Sequence, residues 1–335
     1  MLLGTPWLIA HRSMLQPNQP MKLSLYGHDY VLWQNRNGKV SCLPNACPHM
    51  GAMLSEGWCI ESSDGSSSLV CPYHALEFDG AGCTRLPASN QKTLPLLQPL
   101  ELIVQGNFLW SYGGCEPKSP LPTRLNEIAA SYEFLGCAAD LSIQTDLLTM
   151  LLNMHDYNHH NGAHHQLFKI QQVQLERFVD LGLHSHAYFN LPRVNPTLGD
   201  ILKNPALLIL PKVIQIHLEN FFPSLVIVHL ELAYRDKPII SIRECHVFVP
   251  ESENRTRTYV LMFSKAHHPI AHLLKPNLLH LAEVFVKQDA DILNKLYANI
   301  PARIKLNNEV GIDWVRRNFQ SFPQVVEPNF SRLKL

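Results

Sequence analysis

Charge is scarce in this chain. Only 17% of its 335 residues are Asp, Glu, Lys or Arg, against about 25% in an average globular protein. The 28 basic side chains are balanced by 28 acidic ones, so no nucleic-acid partner is expected, because such a protein carries a positive surplus. Long apolar runs are missing as well. None reaches the roughly 18 residues of a membrane span. Residues 1–10 show neither a basic start nor a small-residue cleavage pattern, so no export signal and a cytoplasmic location are expected. Eight cysteines are too few for a disulfide scaffold. Glycine is thin, at 16, and no Gly-rich dinucleotide fingerprint or phosphate loop occurs. Nicotinamide or flavin binding is therefore not expected, and any electrons must come from another chain. What the sequence does have is histidine: 18 residues, more than its glycines.

Residues 7–112 read as short strands divided by turns. Residues 23–32 alternate around Gly27, and Asn37-Gly38 is a hairpin signal between apolar runs. Residues 113–122, rich in Gly and Pro, break any element. They separate an all-β domain, 1–118, from a second domain, 119–335. In the second, 145–160 reads as a helix capped by Thr145 and stopped by Gly162. Strands are expected over 207–218, 225–234, 239–249 and 256–264, and a late helix over 281–300. The fold class is α+β: after the all-β domain come a helix, a run of strands and a long late helix.

Two mixed pairs carry the first chemistry: Cys47-Pro48-His49 and Cys71-Pro72-Tyr73-His74, 21 residues apart. Two thiolates and two imidazoles suit a Rieske [2Fe–2S] cluster, in which the cysteines hold one iron and the histidines the other. The same set suits structural zinc, although zinc pairs are usually Cys with Cys and His with His. Cys42, Cys59, Cys83, Cys115, Cys137 and Cys245 fit no ligand pattern and read as buried small hydrophobes.

The second is the run 153–165, with five of the 18 histidines. His155 and His159 share a helix face, as do His160 and His164. A third choice takes Asp156, His159 and His164. A non-haem iron wants two His and one carboxylate on one face. On the late helix, Asp289 falls in a stripe with Phe285, Ile292 and Leu296, whereas Asp291 lies on a polar side with Gln288 and Lys295, able to pair with Lys287. A lone carboxylate on a buried face is costly unless it meets a cation, which favours Asp289.

The runs 45–57 and 69–74, and the hairpin Phe78-Asp79-Gly80-Ala81-Gly82, resemble the two cluster arms of the Rieske non-haem iron oxygenases. Met50 and Ala75-Leu76 depart from that pattern, which often has Arg and Gly-Trp. The resemblance implies a cluster on Cys47, His49, Cys71 and His74, and a helix-grip (START-like) second domain. Its Asp-x2-His-x4-His pattern selects His159 and His164 as ligands of Fe(II), with Asp289 as the third. Asn153 falls where the family often has a polar residue near the metal. Asp156 would link His159 to the His74 of a neighbouring copy, in a head-to-tail homotrimer; a plain capping role is the alternative. His155, His160 and His165 crowd the same helix end. His217 and His229, in apolar strands, are candidate pocket fixtures.

The resemblance further implies a terminal oxygenase fed by a ferredoxin and/or flavin reductase, with NAD(P)H only indirectly involved and O₂ as co-substrate. Its substrate would be an apolar organic compound, and monooxygenation is favoured over dioxygenation. The rivals are an electron carrier with only the cluster, and a START-like binding protein with an inactive iron site.

Overall fold

The computed structural model describes residues 2–87, 92–203, 207, 210–234, 237–267, 271–297, 300 and 302–322. Two compact units emerge. One contains Met1–Leu121 and Val249–Glu253, the other Pro122–Phe248 and Asn254–Phe322.

The first unit is all β. Its strands are β1 (Trp7–His11), β2 (Met21–Leu25), β3 (His28–Gln34), β4 (Val40–Pro44), β5 (Trp58–Glu61) and β6 (Ser67–Val70). They continue as β7 (Glu77–Phe78), β8 (Cys83–Arg85), β9 (Lys92–Pro95), β10 (Ile103–Gln105) and β11 (Phe108–Ser111). Three sheets form, ordered β1-β11-β10, β2-β3-β4 and β5-β6-β7-β8-β9. Leu25 pairs with His28 across a two-residue turn. Tyr26 and Gly27 both take positive φ there, 54° and 84°, the backbone that matches the twist of a tight hairpin. Val31, Trp33, Leu43, Leu54, Leu69 and Phe78 make a core that also takes in Cys47 and Cys71.

The second unit opens with α1 (Arg124–Ser131), then β12 (Glu133–Ile143), α2 (Leu147–His155), α3 (His165–Phe168), β13 (Gln174–Asp180) and β14 (His184–Pro192). After α4 (Leu198–Lys203) come β15 (Val213–Phe221), β16 (Leu225–Tyr234), β17 (Lys237–Ser252), β18 (Arg255–Ala266), α5 (Ala271–Leu293) and α6 (Val310–Ser321). One seven-stranded sheet results, ordered β12-β18-β17-β16-β15-β14-β13. Leu278, Ala282 and Val286 of α5 pack on Ala139, Ile240, Ile242, Val260 and Met262 of that sheet.

Several boundaries differ from expectation. Helix α2 is capped by Asp146, whose carboxylate accepts from the Thr149 N–H at 2.9 Å; the neighbouring Thr145 instead gives its carbonyl to Thr256 Oγ1 at 3.0 Å. The helix stops at His155 because Asp156, with ψ at 90°, leaves helical geometry; a 3₁₀ turn, Tyr157–Asn161, follows. Helix α5 begins well before residue 281, running through Pro276, and ends at Leu293; residues 298 and 299 lie outside the described residues. The expected strand over 207–218 starts only at Val213, and 208–209 are likewise outside the described residues. Of the six spare cysteines only Cys42 and Cys245 are buried; Cys59, Cys83, Cys115 and Cys137 are half-buried.

Candidate metal centres

In the first unit, two loops repeat one hydrogen-bond design. The Cys47 N–H donates to the Ala52 carbonyl at 2.9 Å and the Cys47 carbonyl accepts from Gly51 N–H at 2.8 Å. In the other loop, Cys71 N–H donates to Leu76 at 2.9 Å and its carbonyl accepts from Ala75 at 3.1 Å. Gly51 and Ala75, at corresponding places, both take positive φ, 74° and 54°. The backbone therefore requires a left-handed residue there, which Gly supplies freely and Ala at a cost. The loops lay both thiols in the core, Cys47 and Cys71 being 3% and 1% exposed. The rings of His49 and His74 lie on the exposed side with centroids 4.7 Å apart. Burial, then the neighbouring Cys71, pushes the Cys47 thiol up. Two buried thiols beside two paired imidazoles fit a mixed-ligand iron–sulfur cluster.

In the second unit, α2, the 3₁₀ turn, α3 and α5 bring His159, His164 and Asp289 together. His164 Nε2 stands 3.1 Å from Asp289 Oδ1, and His159 Nε2 stands 3.8 Å from the same oxygen. The side chains of His159, His164 and Asp289 are 12%, 0% and 13% exposed. Each ring is held from behind. The carbonyl oxygen of Asp156 accepts from His159 Nδ1, and Gln288 Oε1 accepts from His164 Nδ1 at 2.9 Å. A neutral ring that donates through Nδ1 has only a lone pair at Nε2. Three acceptors thus converge: both Nε2 atoms and Asp289 Oδ1, none with a hydrogen-bond partner. Acceptors facing acceptors in a buried site call for a cation, and two imidazoles with one carboxylate suit Fe(II).

Electrostatics agree. Burial pulls His159 down, with Asp289 opposing. Burial alone would raise Asp289, but the adjacent His164 and His159 rings and a side-chain hydrogen bond from Asn153 hold it below the ordinary carboxylate range. The Phe285 ring stacks on His164 with centroids 3.6 Å apart, which fixes the imidazole plane.

Other candidates land elsewhere. The Asp156 carboxylate accepts from Asn158 N–H at 3.0 Å, capping the 3₁₀ turn, and burial raises its carboxyl; it is the main-chain oxygen that holds His159. Asp291 is exposed, and Lys287 pairs with Glu283 at 2.5 Å instead. Ile292 and Leu296 are 41% and 55% exposed, so the expected stripe is not the buried face of α5. His155 gives Nδ1 to the Leu151 carbonyl at 2.8 Å and stacks on Trp314. His165 bonds the Ile170 carbonyl at 2.7 Å. His160 does reach the site: with His159 and His164 it offers ring nitrogens within 4.8 Å of one another.

A largely apolar cavity opens beside His159 and His160, lined among others by Phe189, Ile216, Leu230 and Phe285. His217 and His229 do not line it. They lie on the opposite face of the sheet, with centroids 4.4 Å apart, among His184, His186 and Tyr188. There the buried Glu219 carboxylate takes His229 Nε2 and Arg124 Nε at 3.0 Å each. Burial opposes ionisation, but these partners hold Glu219 down at about 2. Gln288, and the cavity residues Glu244 and His246, were not foreseen. Only the position of Gln288 beside Asp289 hinted at the first.

Comparison with known proteins now adds two domain matches: a Rieske [2Fe-2S] domain over residues 5–101 and a vanillate O-demethylase oxygenase C-terminal domain over 211–317. The chain is 27% identical over 188 residues to aminopyrrolnitrin oxygenase of Pseudomonas fluorescens, covering 53% of this chain and 50% of that protein. It is 33% identical over 172 residues to pheophorbide a oxygenase of Arabidopsis thaliana, covering 46% and 30%. The match therefore spans half or less of these relatives' length. The fold is shared with dicamba monooxygenase in a crystal structure with bound dicamba: TM-score 0.74, 18% identity, 96% of this chain and 97% of that one.

Proposed function

We propose that this chain, which belongs to the Rieske non-haem iron oxygenases, is a terminal oxygenase component that hydroxylates or oxidatively demethylates an apolar organic substrate. Cys47, His49, Cys71 and His74 hold the [2Fe–2S] cluster; His159, His164 and Asp289 hold a mononuclear Fe(II). When bound, the cluster supplies single electrons and the iron supplies O₂ activation. The electrons come from a separate ferredoxin and/or flavin reductase, so NAD(P)H takes part only at a remove.

The chain's own work is placement. The Asp156 carbonyl and Gln288 aim the two imidazoles, Asn153 holds Asp289 ionised, and Phe285 and the cavity wall keep water from the reacting end. The same reading includes a cytoplasmic homotrimer in which Asp156 of one copy meets the cluster arm of the next. No helix among the described residues is long and apolar enough to cross a membrane.

One observation carries the reading: three buried acceptor atoms, two imidazole nitrogens and a carboxylate oxygen, converge where His159 joins the wall of an apolar cavity. The test is iron content and oxygen incorporation. About three irons per chain, and ¹⁸O from ¹⁸O₂ in a product formed with a reductase, are expected. Two irons per chain and no incorporation across a substrate panel would leave a carrier or a binding protein instead. Asp289→Ala should abolish turnover and release the mononuclear iron while the cluster's visible absorption stays; full activity in that variant would overturn the triad.

A further inference from the structure

The face of the sheet that lines the cavity is not uniform. Leu191 pairs with Ile214 and Phe189 with Ile216 on one side of it; Leu232 pairs with Ile240 and Leu230 with Ile242 on the other. One step along the strands the facing row is Ala187, Leu218, Val228 and Glu244, and the next is Ser185, Asn220, Val226 and His246. Greasy rows thus give way to a polar end on β17. Apart from the ligand His159 and its neighbour His160, Glu244 and His246 are the ionisable side chains of the cavity wall among the described residues.

They are not there to satisfy each other. His246 is 4% exposed, yet its Nε2 has no hydrogen-bond partner. Glu244 Oε2 lies 3.5 Å away, a contact not aligned as a hydrogen bond. A buried imidazole nitrogen left without a partner is costly, and a bound ligand is one way such a group is completed. A mostly apolar pocket with a few convergent polar groups is how small-molecule sites fix orientation.

We infer that Glu244 and His246 form the polar anchor of the cavity, taking one hydroxyl or amino group on an otherwise apolar ligand and turning carboxylates away. A hydroxyl donates to the Glu244 carboxylate while its oxygen accepts from His246; an amino group donates to both when the ring is neutral. A carboxylate brings like charge against Glu244 and has no proton to give it. The inference rests on the cavity being the substrate chamber proposed above, and it narrows the substrate from apolar to apolar with a single hydrogen-bond donor.

Anaerobic equilibrium dialysis of the iron-loaded protein, without reductant, tests it on four ligands of one skeleton: indane, 5-indanol, 5-aminoindane and indane-5-carboxylate. The alcohol and the amine should bind about tenfold tighter than indane, and the carboxylate weakest of all. Glu244→Gln should bring the carboxylate to within about threefold of indane, and His246→Leu should cut the alcohol's advantage. Equal binding of all four, or a carboxylate bound as tightly as the alcohol, would overturn the anchor. So would a Glu244→Gln protein with the wild-type ranking. The wild-type ranking needs no variant, and it is read without turnover. A failed ranking thus sinks the anchor alone, whereas absent ¹⁸O incorporation sinks the oxygenase reading alone.

Discussion

His164 Nε2 and Asp289 Oδ1 face each other at 3.1 Å in the iron-binding corner. The arrangement exists because Gln288, one residue before Asp289, takes the His164 proton on the far side of the ring at 2.9 Å. One turn of α5 therefore supplies both a ligand and the group that aims its neighbour.

Gln288→Ala should weaken mononuclear iron binding about 10- to 100-fold, the usual cost of losing a residue that orients a ligand. Gln288→Glu, which keeps the acceptor, should retain more. Iron per chain after dialysis against a chelator measures both, with the cluster absorption as an internal control. Undiminished iron in Gln288→Ala would mean that stacking on Phe285 alone holds the ring.

Gly311→Ala should damage the same site from a distance. A Cβ there would lie 2.5 Å from the His155 carbonyl oxygen and 2.7 Å from the Tyr157 hydroxyl. Forcing extra carbon into such a space costs about 1–3 kcal/mol, and the displaced strut leads straight into His159. A melting point lower by several degrees, together with reduced iron retention, is the expected pair of results.

Ala75→Gly should do the reverse in the cluster arm. Ala75 holds φ at 54°, a conformation costing an L-residue roughly 1–2 kcal/mol. Glycine relieves this but loosens the unfolded chain by about 0.4–1 kcal/mol. The net gain is about 0.5–1 kcal/mol, read as a higher melting point of the cluster-loaded protein. A lower one would show that the methyl group packs usefully.

Acid should unfold the second unit early. Burial pushes His155 down to about 4, against 6.5 in an unfolded chain. The folded state therefore binds fewer protons in that window. Stability is full above pH 6.5 and drains as pH falls towards 4, by on the order of 3 kcal/mol from this ring. Glu219, held at about 2, adds a second loss between pH 4.5 and 2. Denaturant melts at pH 7.5 and 4.5 should differ accordingly, and His155→Leu should flatten the first phase. An equally steep loss in that variant would place the effect elsewhere.

The two cluster arms were legible because each Cys and His pair is separated by only one or two residues, so local spacing is itself geometry. The iron site was legible only in part. Asp289 was favoured on a helical stripe that proved largely exposed beyond it; its burial comes from facing α2 and the 3₁₀ turn, a tertiary fact. Asp156 looked helical because no Gly or Pro marks where α2 stops. The sequence placed His217 and His229 in apolar strands but could not say which face they take, since period two has no sign. Strand β14, whose burial alternates along its length, was hidden because its outward residues, His184, His186 and Tyr188, are not ordinary surface residues. Nine of the 18 histidines thus fall in two groups, five at the iron-binding corner and four on the back of the sheet beside Glu219.

The two arms of the first unit also decide how the molecule ages. Sulfur is stored where dissolved oxidants do not reach it, and nitrogen faces the water. Around those rings stand Met50 and Met53, 64% and 53% exposed. Chemical wear at this tip therefore begins with thioethers, as sulfoxides that cells can reduce, rather than with thiols whose over-oxidation is final.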